Sequence, residues 1–206
     1  MNMNYAERHI RALKLAKECA ALGARSRTIE YVTGLSHGEV GRLFFPDRRS
    51  TPRGRLPDSP DWYHNANLLS RVEASIFVSV YRRIRMLGFG PAEALVAGYK
   101  HYLQVCRVRT RIGFDRAFYF ASHIDGLWIV RTQNFSLATC PTCASQYIAS
   151  IGAKTVTNLE CPFCKLIRRY PRDSRIQTSF PVKAMPDVSA MEFGVIALSK
   201  RMNAYG

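Results

Sequence analysis

Apolar residues recur three or four positions apart over much of the first half of the chain, which is the spacing of an amphipathic helix. This pattern predicts helices over residues 5–22, 26–32 and 37–45. Gly23 stands where a C-cap glycine is expected after the first helix, and Pro46 stops the third. The N-terminal part of the chain is therefore predicted to be helical.

The turn between the second and third predicted helices carries a start signal for the helix that follows it. It reads Thr33-Gly34-Leu35-Ser36, in which Ser36 can N-cap the third helix while Glu39 stands at the capping-box position. A helix, a short helix, a glycine-containing turn and a further helix together give the outline of a helix-turn-helix.

Prolines and a glycine interrupt the periodicity over residues 46–61, which predicts a loop or linker and a domain boundary. A long helix is predicted over residues 66–87, a second begins at Pro91, and a third covers residues 115–125, each with one apolar stripe. The short apolar run at residues 127–130 predicts a buried strand.

The most specific motif is a pair of Cys-x-x-Cys sequences, Cys140/Cys143 and Cys161/Cys164, separated by seventeen residues. A two-residue spacer lets one tight turn bring two thiolates to the same side, and two such turns close a tetrahedron around a metal ion. The intervening segment is β-prone, so we expect a pair of short hairpins in a zinc-ribbon-like module. Four ligands of one kind leave no position for water, which predicts one structural Zn²⁺ per chain.

Disulfide formation, redox chemistry and iron binding are the alternatives to zinc ligation by the cysteines. Disulfides are rare in proteins without a secretory signal, and a thioredoxin-like redox pair needs a βαβ context that is not visible in the sequence. Iron in a rubredoxin-like site stays open, because residues 161–164 have that character. Cys19 and Cys106 lie on apolar helical faces and are predicted to be buried small hydrophobic residues.

The predicted fold class is mainly α: a helical domain with a helix-turn-helix-like N-terminal part and a small C-terminal four-cysteine module that is zinc-ribbon-like. Four regions are predicted along the chain. They are an N-terminal helical region with its proline-rich linker (1–65), a helical core (66–135), the cysteine module (136–170) and a basic tail of unassigned role (171–206).

The charge of the chain narrows the class of partner. There are 30 Lys and Arg residues against 15 Asp and Glu residues, a formal charge of +15, spread over all of the predicted regions. So large an excess predicts a polyanionic partner, nucleic acid first and an anionic membrane surface second. No stretch is apolar enough to span a membrane, and the polar N-terminus lacks the apolar core of a secretory signal, so a cytoplasmic protein is expected.

The sequence offers little catalytic chemistry. It has no phosphate-binding glycine loop, no nucleophile elbow and no zincin motif. Asp58, Asp61 and His64 lie close together, but a proline-rich segment beside two aromatic residues is typical of a packed loop with solvated carboxylates. The chain is therefore not predicted to be an enzyme, and a metal-dependent nuclease that uses these three residues is a remote option.

Several of these motifs, taken together, resemble the FlhC family, the C subunits of the bacterial flagellar master transcriptional activator. They are Leu22-Gly23-Ala24-Arg25, Thr33-Gly34-Leu35-Ser36, Leu56-Pro57 followed by Asp61-Trp62, the long helical middle and the four late cysteines. The resemblance covers residues 5–170 and leaves the tail unmatched. It implies zinc ligation by the four cysteines, DNA binding upstream of flagellar promoters, contact with RNA polymerase, and assembly with an FlhD subunit into a hetero-oligomer.

Candidate DNA contacts follow from the helix-turn-helix outline. Ser36, His37 and Arg42 lie on the face of the third helix that is available to a major groove. Arg48 and Arg49 come just beyond that helix and suit contacts to phosphates. The alternative function is an RNA- or ribosome-associated basic zinc-ribbon protein, which would prefer RNA and show little selectivity for promoter DNA.

Overall fold

The structure is a computed structural model, and the residues it describes are 4–47, 61–151 and 160–182, together with Pro52, Gly54, Leu56, Pro57 and Ser59. The elements within them are, in chain order, α1 (Tyr5–Ala21), α2 (Ser26–Thr33), α3 (His37–Phe44), α4 (Asp61–Asn65), α5 (Leu68–Met86), α6 (Pro91–Val105), α7 (Phe114–Asp125), β1 (Phe135–Thr139), β2 (Gln146–Ser150), α8 (Pro162–Arg169), a 3-10 helix (Tyr170–Arg172) and α9 (Ser174–Ser179). The mainly α fold class with its small four-cysteine module is confirmed. None of these helices is long and apolar enough to cross a membrane.

The helices predicted from periodicity are confirmed to within a few residues at their ends; the additions to them are α8, the 3-10 helix, α9 and the short α4. This short helix lies where the proline-rich segment meets the long helix. Trp62 and Tyr63 of α4 pack against Phe120 of α7, with ring centroids 5.9 and 6.0 Å apart. Tertiary packing of two aromatic residues thus gives a helix where composition alone predicts a loop.

The strand predicted at residues 127–130 is wrong. Gly126 ends α7 with a left-handed φ of 67°, and Trp128 also has a positive φ, of 54°. The resulting turns lay Trp128 on Phe118, with ring centroids 5.2 Å apart. A four-residue apolar run is compatible with a packed turn as well as with a buried strand, and its tertiary contacts decide between them. The first strand begins later, at Phe135.

The turn before α3 has the geometry that its sequence predicts. Gly34 adopts a φ of 73° as the C-cap of α2, and its N–H donates to the Glu30 carbonyl at 2.8 Å. The Ser36 N–H donates to a Glu39 carboxylate oxygen at 3.0 Å, and the Glu39 N–H donates to Ser36 Oγ at 3.4 Å, which completes the capping box. The hydrogen bonds from Ser36 lower the pKa of Glu39.

The core is aromatic and runs without a break from α1 to the hairpin. Its largest fully buried rings are Tyr63, Phe77, Tyr81, Tyr102, Phe114, Phe118, Tyr119, Phe120 and Phe135. Cys19 and Cys106 are buried as predicted, and burial raises the pKa of each thiol to about 12. The division of the chain at residues 65, 135 and 170 stays a prediction.

A carboxylate on α7 holds the turn between α1 and α2. Asp115 accepts the Arg25 backbone N–H at 3.1 Å and the Arg25 guanidinium at 2.8 Å, and it also accepts the Thr28 hydroxyl at 2.6 Å. Gly23 has a φ of 83°, and Ala24 is completely buried. The Leu-Gly-Ala-Arg sequence therefore has a structural reason: it turns the chain tightly and delivers Arg25 to Asp115.

A second carboxylate, Glu73 on α5, is completely buried. It accepts the Tyr102 hydroxyl at 2.6 Å and the Arg111 backbone N–H at 2.8 Å, and it forms an ion pair with the Arg111 guanidinium. The same guanidinium donates to Ser179 Oγ at 2.8 Å. One buried charge thus connects α5, α6, the segment before α7 and α9.

Replacing Glu73 by alanine is expected to destabilise the protein by about 3–5 kcal/mol, because it leaves the Arg111 charge buried without its partner. The free energy of unfolding, measured by denaturant titration, checks this. Glu18→Ala is the matched control, since Glu18 pairs with Lys100 at 2.9 Å on the surface and such pairs contribute about 1 kcal/mol or less. Equal losses for the two variants would contradict the buried-charge argument.

Candidate metal centre and nucleic-acid interface

The first cysteine pair lies in the connection of a β-hairpin. β1 pairs antiparallel with β2, from Phe135 opposite Ser150 to Thr139 opposite Gln146. The chain then turns through residues 140–145, where the Ala144 N–H donates to the Cys140 carbonyl at 2.9 Å and the Cys140 N–H donates to the Ser145 carbonyl at 3.0 Å. Ala144 has a left-handed φ of 57°. This turn brings Cys140 and Cys143 to the same side, as their spacing predicts.

The second pair lies at the start of α8 rather than in a second hairpin, so the expected pair of hairpins is half right. Cys161 is the N-cap of α8, and its sulfur accepts the Cys164 N–H at 3.3 Å. Pro162 at the first helical position has the φ that a helix start requires and has no N–H to leave unsatisfied. The Cys-Pro-x-Cys sequence is therefore a helix start signal in which a thiol takes the place of a capping hydroxyl.

The four sulfur atoms converge at one point. They lie within 4.8 Å of one another, with Cys140 Sγ 3.8 Å from Cys164 Sγ and Cys143 Sγ 3.5 Å from Cys161 Sγ. A tetrahedral ion with metal–sulfur bonds of about 2.3 Å places its ligands about 3.8 Å apart. The four cysteines are thus positioned to hold a single metal ion, and the donor set fits one that prefers thiolates.

Hydrogen bonds prepare two of the four thiols for a cation. Backbone N–H groups, with that of Cys143 first, lower the pKa of Cys140, and hydrogen bonds from Ser145 lower the pKa of Cys143 to about 6. Burial raises the pKa of Cys161, and hydrogen bonding to Cys143 raises that of Cys164. A divalent cation completes this arrangement by displacing the remaining protons.

The metal centre is fastened to the helical core. Phe135 is buried against Tyr63 and Phe120, with ring centroids 6.0 and 5.8 Å apart. The Ile148 N–H of β2 donates to Ser75 Oγ of α5 at 3.3 Å. These contacts hold the hairpin and therefore the first two ligands.

Two of the three residues that a nuclease would need lie on the short helix α4. Asp61 begins α4, and His64 near its end is 2.6 Å from Ser150 Oγ. Asp58 lies outside the described residues. His64 is therefore a contact between α4 and the hairpin.

The predicted DNA-contacting residues lie in and around α3. Ser36 caps the helix, so its hydroxyl is engaged by Glu39. The His37 ring is exposed and lies 2.7 Å from a Glu30 carboxylate oxygen, and Arg42 is exposed in the last turn. The other two candidates, Arg48 and Arg49, fall outside the described residues.

Sequence reasoning missed how much of the basic charge is already paired inside the fold. Arg82 and Arg85, part of a dense basic run, both contact Asp125, at 3.2 and 2.7 Å. Arg111, whose side chain is 15% exposed, is held by the buried Glu73. The Glu73–Arg111 pair does have a signal in the sequence. It is the glutamate within the apolar sequence Val-Glu-Ala of α5, since a charge at a core position needs a partner.

The fold and the site together define a class of protein: a strongly basic, mainly helical protein with four thiols positioned to hold a metal ion, a pattern typical of metal-stabilised nucleic-acid-binding proteins. One family model matches residues 2–177, and its description is "Flagellar transcriptional activator (FlhC)". The chain belongs to the FlhC family. The resemblance seen in the sequence is thereby confirmed, and the activator is favoured over the RNA-associated alternative.

Individual relatives agree with the family assignment. The chain is 29% identical over 160 residues to the flagellar transcriptional regulator FlhC of Sodalis glossinidius (strain morsitans), a match that covers 75% of this chain and 77% of the relative. It is 27% identical over 164 residues to FlhC of Proteus mirabilis, covering 77% and 80%. A shorter match to FlhC of Paraburkholderia phymatum is 38% identical over 88 residues, covering 42% and 39%. The family consists of transcriptional regulators, which are not a class of enzymes.

Cys164→Ser is expected to abolish stoichiometric metal binding and to unfold the segment around α8, because a three-thiolate site no longer closes the tetrahedron and metal binding is coupled to folding. Elemental analysis of the purified chain and its thermal unfolding curve check this. Cys106→Ser is the matched control, because Cys106 is buried far from the cluster in sequence and is not a ligand. A metal-free Cys164→Ser protein that melts like the unaltered chain would contradict the coupling.

Proposed function

We propose that this chain is the DNA-binding subunit of a hetero-oligomeric transcriptional activator, which binds upstream of flagellar promoters and recruits RNA polymerase. The observation that carries the proposal is the FlhC family match over residues 2–177. The excess of 30 basic over 15 acidic residues supports it, because DNA presents a dense array of phosphates. Action on chromosomal DNA assigns the protein to the cytoplasm.

The metal in this proposal is one structural Zn²⁺ per chain, held by Cys140, Cys143, Cys161 and Cys164. Zinc is the usual cytoplasmic occupant of a four-cysteine tetrahedron, and four protein ligands leave no open position for catalysis. Its role is to join the hairpin connection to the start of α8. Iron is the competing occupant, and the elemental analysis above distinguishes the two metals.

Within the N-terminal region, we assign base contacts to Ser36, His37 and Arg42, and phosphate contacts to Arg48 and Arg49. The capping box and the glycine turn support this assignment, because they fix the start of α3 relative to α2. His37 and Arg42 are exposed and so are available to a groove of DNA.

The proposed partner is an FlhD-type subunit. Large apolar side chains at the start of α1 and at the turn after α5 are well exposed, among them Tyr5 (76%), Met86 (79%) and Leu87 (70%). Apolar surface of this kind is typical of protein–protein contacts, which supports assembly into a hetero-oligomer. RNA polymerase is proposed as the partner of the assembled complex on DNA.

A flagellar promoter duplex is expected to bind more tightly than a scrambled duplex, and only when an FlhD-type subunit is present. Fluorescence anisotropy at about 150 mM salt measures this, because non-specific binding is weak there. Selective binding that needs the partner supports the activator subunit. Equal, salt-sensitive binding to both duplexes in both mixtures contradicts it, and a preference for RNA would support the ribosome- or RNA-associated alternative.

Arg42→Ala is expected to weaken binding to the promoter duplex more than to the scrambled duplex, because a base contact is worth about 1–3 kcal/mol only on the correct sequence. Arg49→Ala is expected to weaken both alike, since phosphates carry no sequence information. Titrations of both variants with both duplexes provide the comparison. If Arg42→Ala, like Arg49→Ala, weakens binding to the promoter and scrambled duplexes by the same factor, α3 does not read bases.

A further inference from the structure

A groove lined by arginines lies beside the metal module. One part is formed by the start of α5, the segment after α6, and α9, and an adjoining hollow is formed by α8 and the start of α9. We call the two together the arginine groove, after the arginines that line it: Arg109, Arg111, Arg168, Arg169, Arg172 and Arg175.

The charge of this surface is strongly one-sided. The segment from α8 to α9 carries five basic residues and a single acidic residue, Asp173. Asp173 caps α9 by accepting the Arg175 N–H at 3.1 Å, and its carboxylate lies 3.6 Å from Arg169 and 3.5 Å from Arg175. By contrast, α3 carries one Arg and one Glu. The arginine groove is therefore the more cationic of the two surfaces.

Two of the arginines have no acidic partner among the described residues. Arg109 and Arg172 lie in different parts of the chain. Both side chains are exposed, and neither forms an ion pair with a described residue. Arg168 forms an exposed pair with Glu160 at 2.7 Å. Unpaired guanidinium groups on a basic surface are available to an external anion and suit phosphate oxygens in particular.

The groove is held rigidly, which distinguishes it from a flexible basic tail. The Arg111 guanidinium, fixed by Glu73, donates to Ser179 Oγ, and the Tyr170 hydroxyl donates to the Phe180 carbonyl at 3.1 Å. The start of α8 is fixed by two of the metal ligands. The backbone that carries these arginines is therefore positioned before any ligand arrives, which reduces the backbone entropy lost on binding.

We propose that the arginine groove binds the phosphate backbone of duplex DNA. This inference rests on the proposed function and assigns to the α8–α9 segment the sequence-independent part of the affinity, while α3 keeps the base contacts. Among the described residues, no aromatic ring lines the groove. Single-stranded RNA is bound chiefly by stacking on aromatic side chains, so a lining of guanidinium groups without rings favours a duplex backbone.

The test compares three double variants of the full chain, loaded with metal and mixed with its FlhD-type partner. Arg109→Ala/Arg172→Ala removes the two unpaired arginines. Arg109→Lys/Arg172→Lys keeps both charges. Arg83→Ala/Arg131→Ala removes two exposed arginines elsewhere and so matches the loss of net charge. The dissociation constant of each is measured for promoter and scrambled duplexes over a range of salt concentrations.

Loss of two phosphate contacts is expected to reduce the slope of log Kd against log salt by about 2, and to weaken both duplexes by the same factor, on the order of tenfold. The Arg109→Lys/Arg172→Lys variant and the Arg83→Ala/Arg131→Ala control are both expected to keep the slope of the unaltered protein. Unchanged metal content and melting show that the fold is intact.

An alanine variant whose slope equals that of the control overturns the inference. So does a variant that loses affinity for single-stranded RNA but not for DNA. Failure of the proposed function is a different result: the unaltered protein would then bind promoter and scrambled duplexes equally. The salt slopes can still be compared on the scrambled duplex in that case, so the two failures are distinguishable.

Discussion

The arrangement of the functional surfaces depends on one buried ion pair. Glu73 lies where water does not reach it, and Arg111 is the cation that compensates its charge. Because an uncompensated charge in the interior is so unfavourable, the segment before α7 must approach α5, and with it come Arg109 and the contact to Ser179. Burial of a single carboxylate thus fixes the position of two walls of the arginine groove.

The four-cysteine cluster offers a second constraint, which acts over a shorter range. The hairpin supplies two thiols and the start of α8 supplies two more, so a metal ion bound by all four would join elements that no strand pairing connects. The hairpin is held to the core by Phe135 and Ser75, and α8 packs against α5. A bound ion would therefore tie together two elements that the core already positions, one of which carries arginines of the groove.

Local signals in the sequence predicted six of the helices and the convergence of the four cysteines. The Ser36–Glu39 capping box and the cysteine spacing each encode geometry within a few residues, so they need no tertiary information. The start of α8 is a local signal that the expected second hairpin overlooked, whereas the other missed features are long-range ones. The short helix α4 forms because its aromatic residues find Phe120, and Trp128 packs as a turn because Phe118 lies below it. Spacing along the chain does not contain these contacts.

The acidic residues that position helices contribute little to screening the positive charge of the surface. Glu73, Asp115 and Asp125 are each held by arginines within or beside the core, where they position helices. Acidic groups used in this way do not screen the remaining Lys and Arg side chains from an approaching anion. The surface is consequently left with concentrated positive charge, which repels itself in the isolated chain. Binding of a polyanion relieves that repulsion, so the same distribution of charge that weakens the free protein strengthens its complex with DNA.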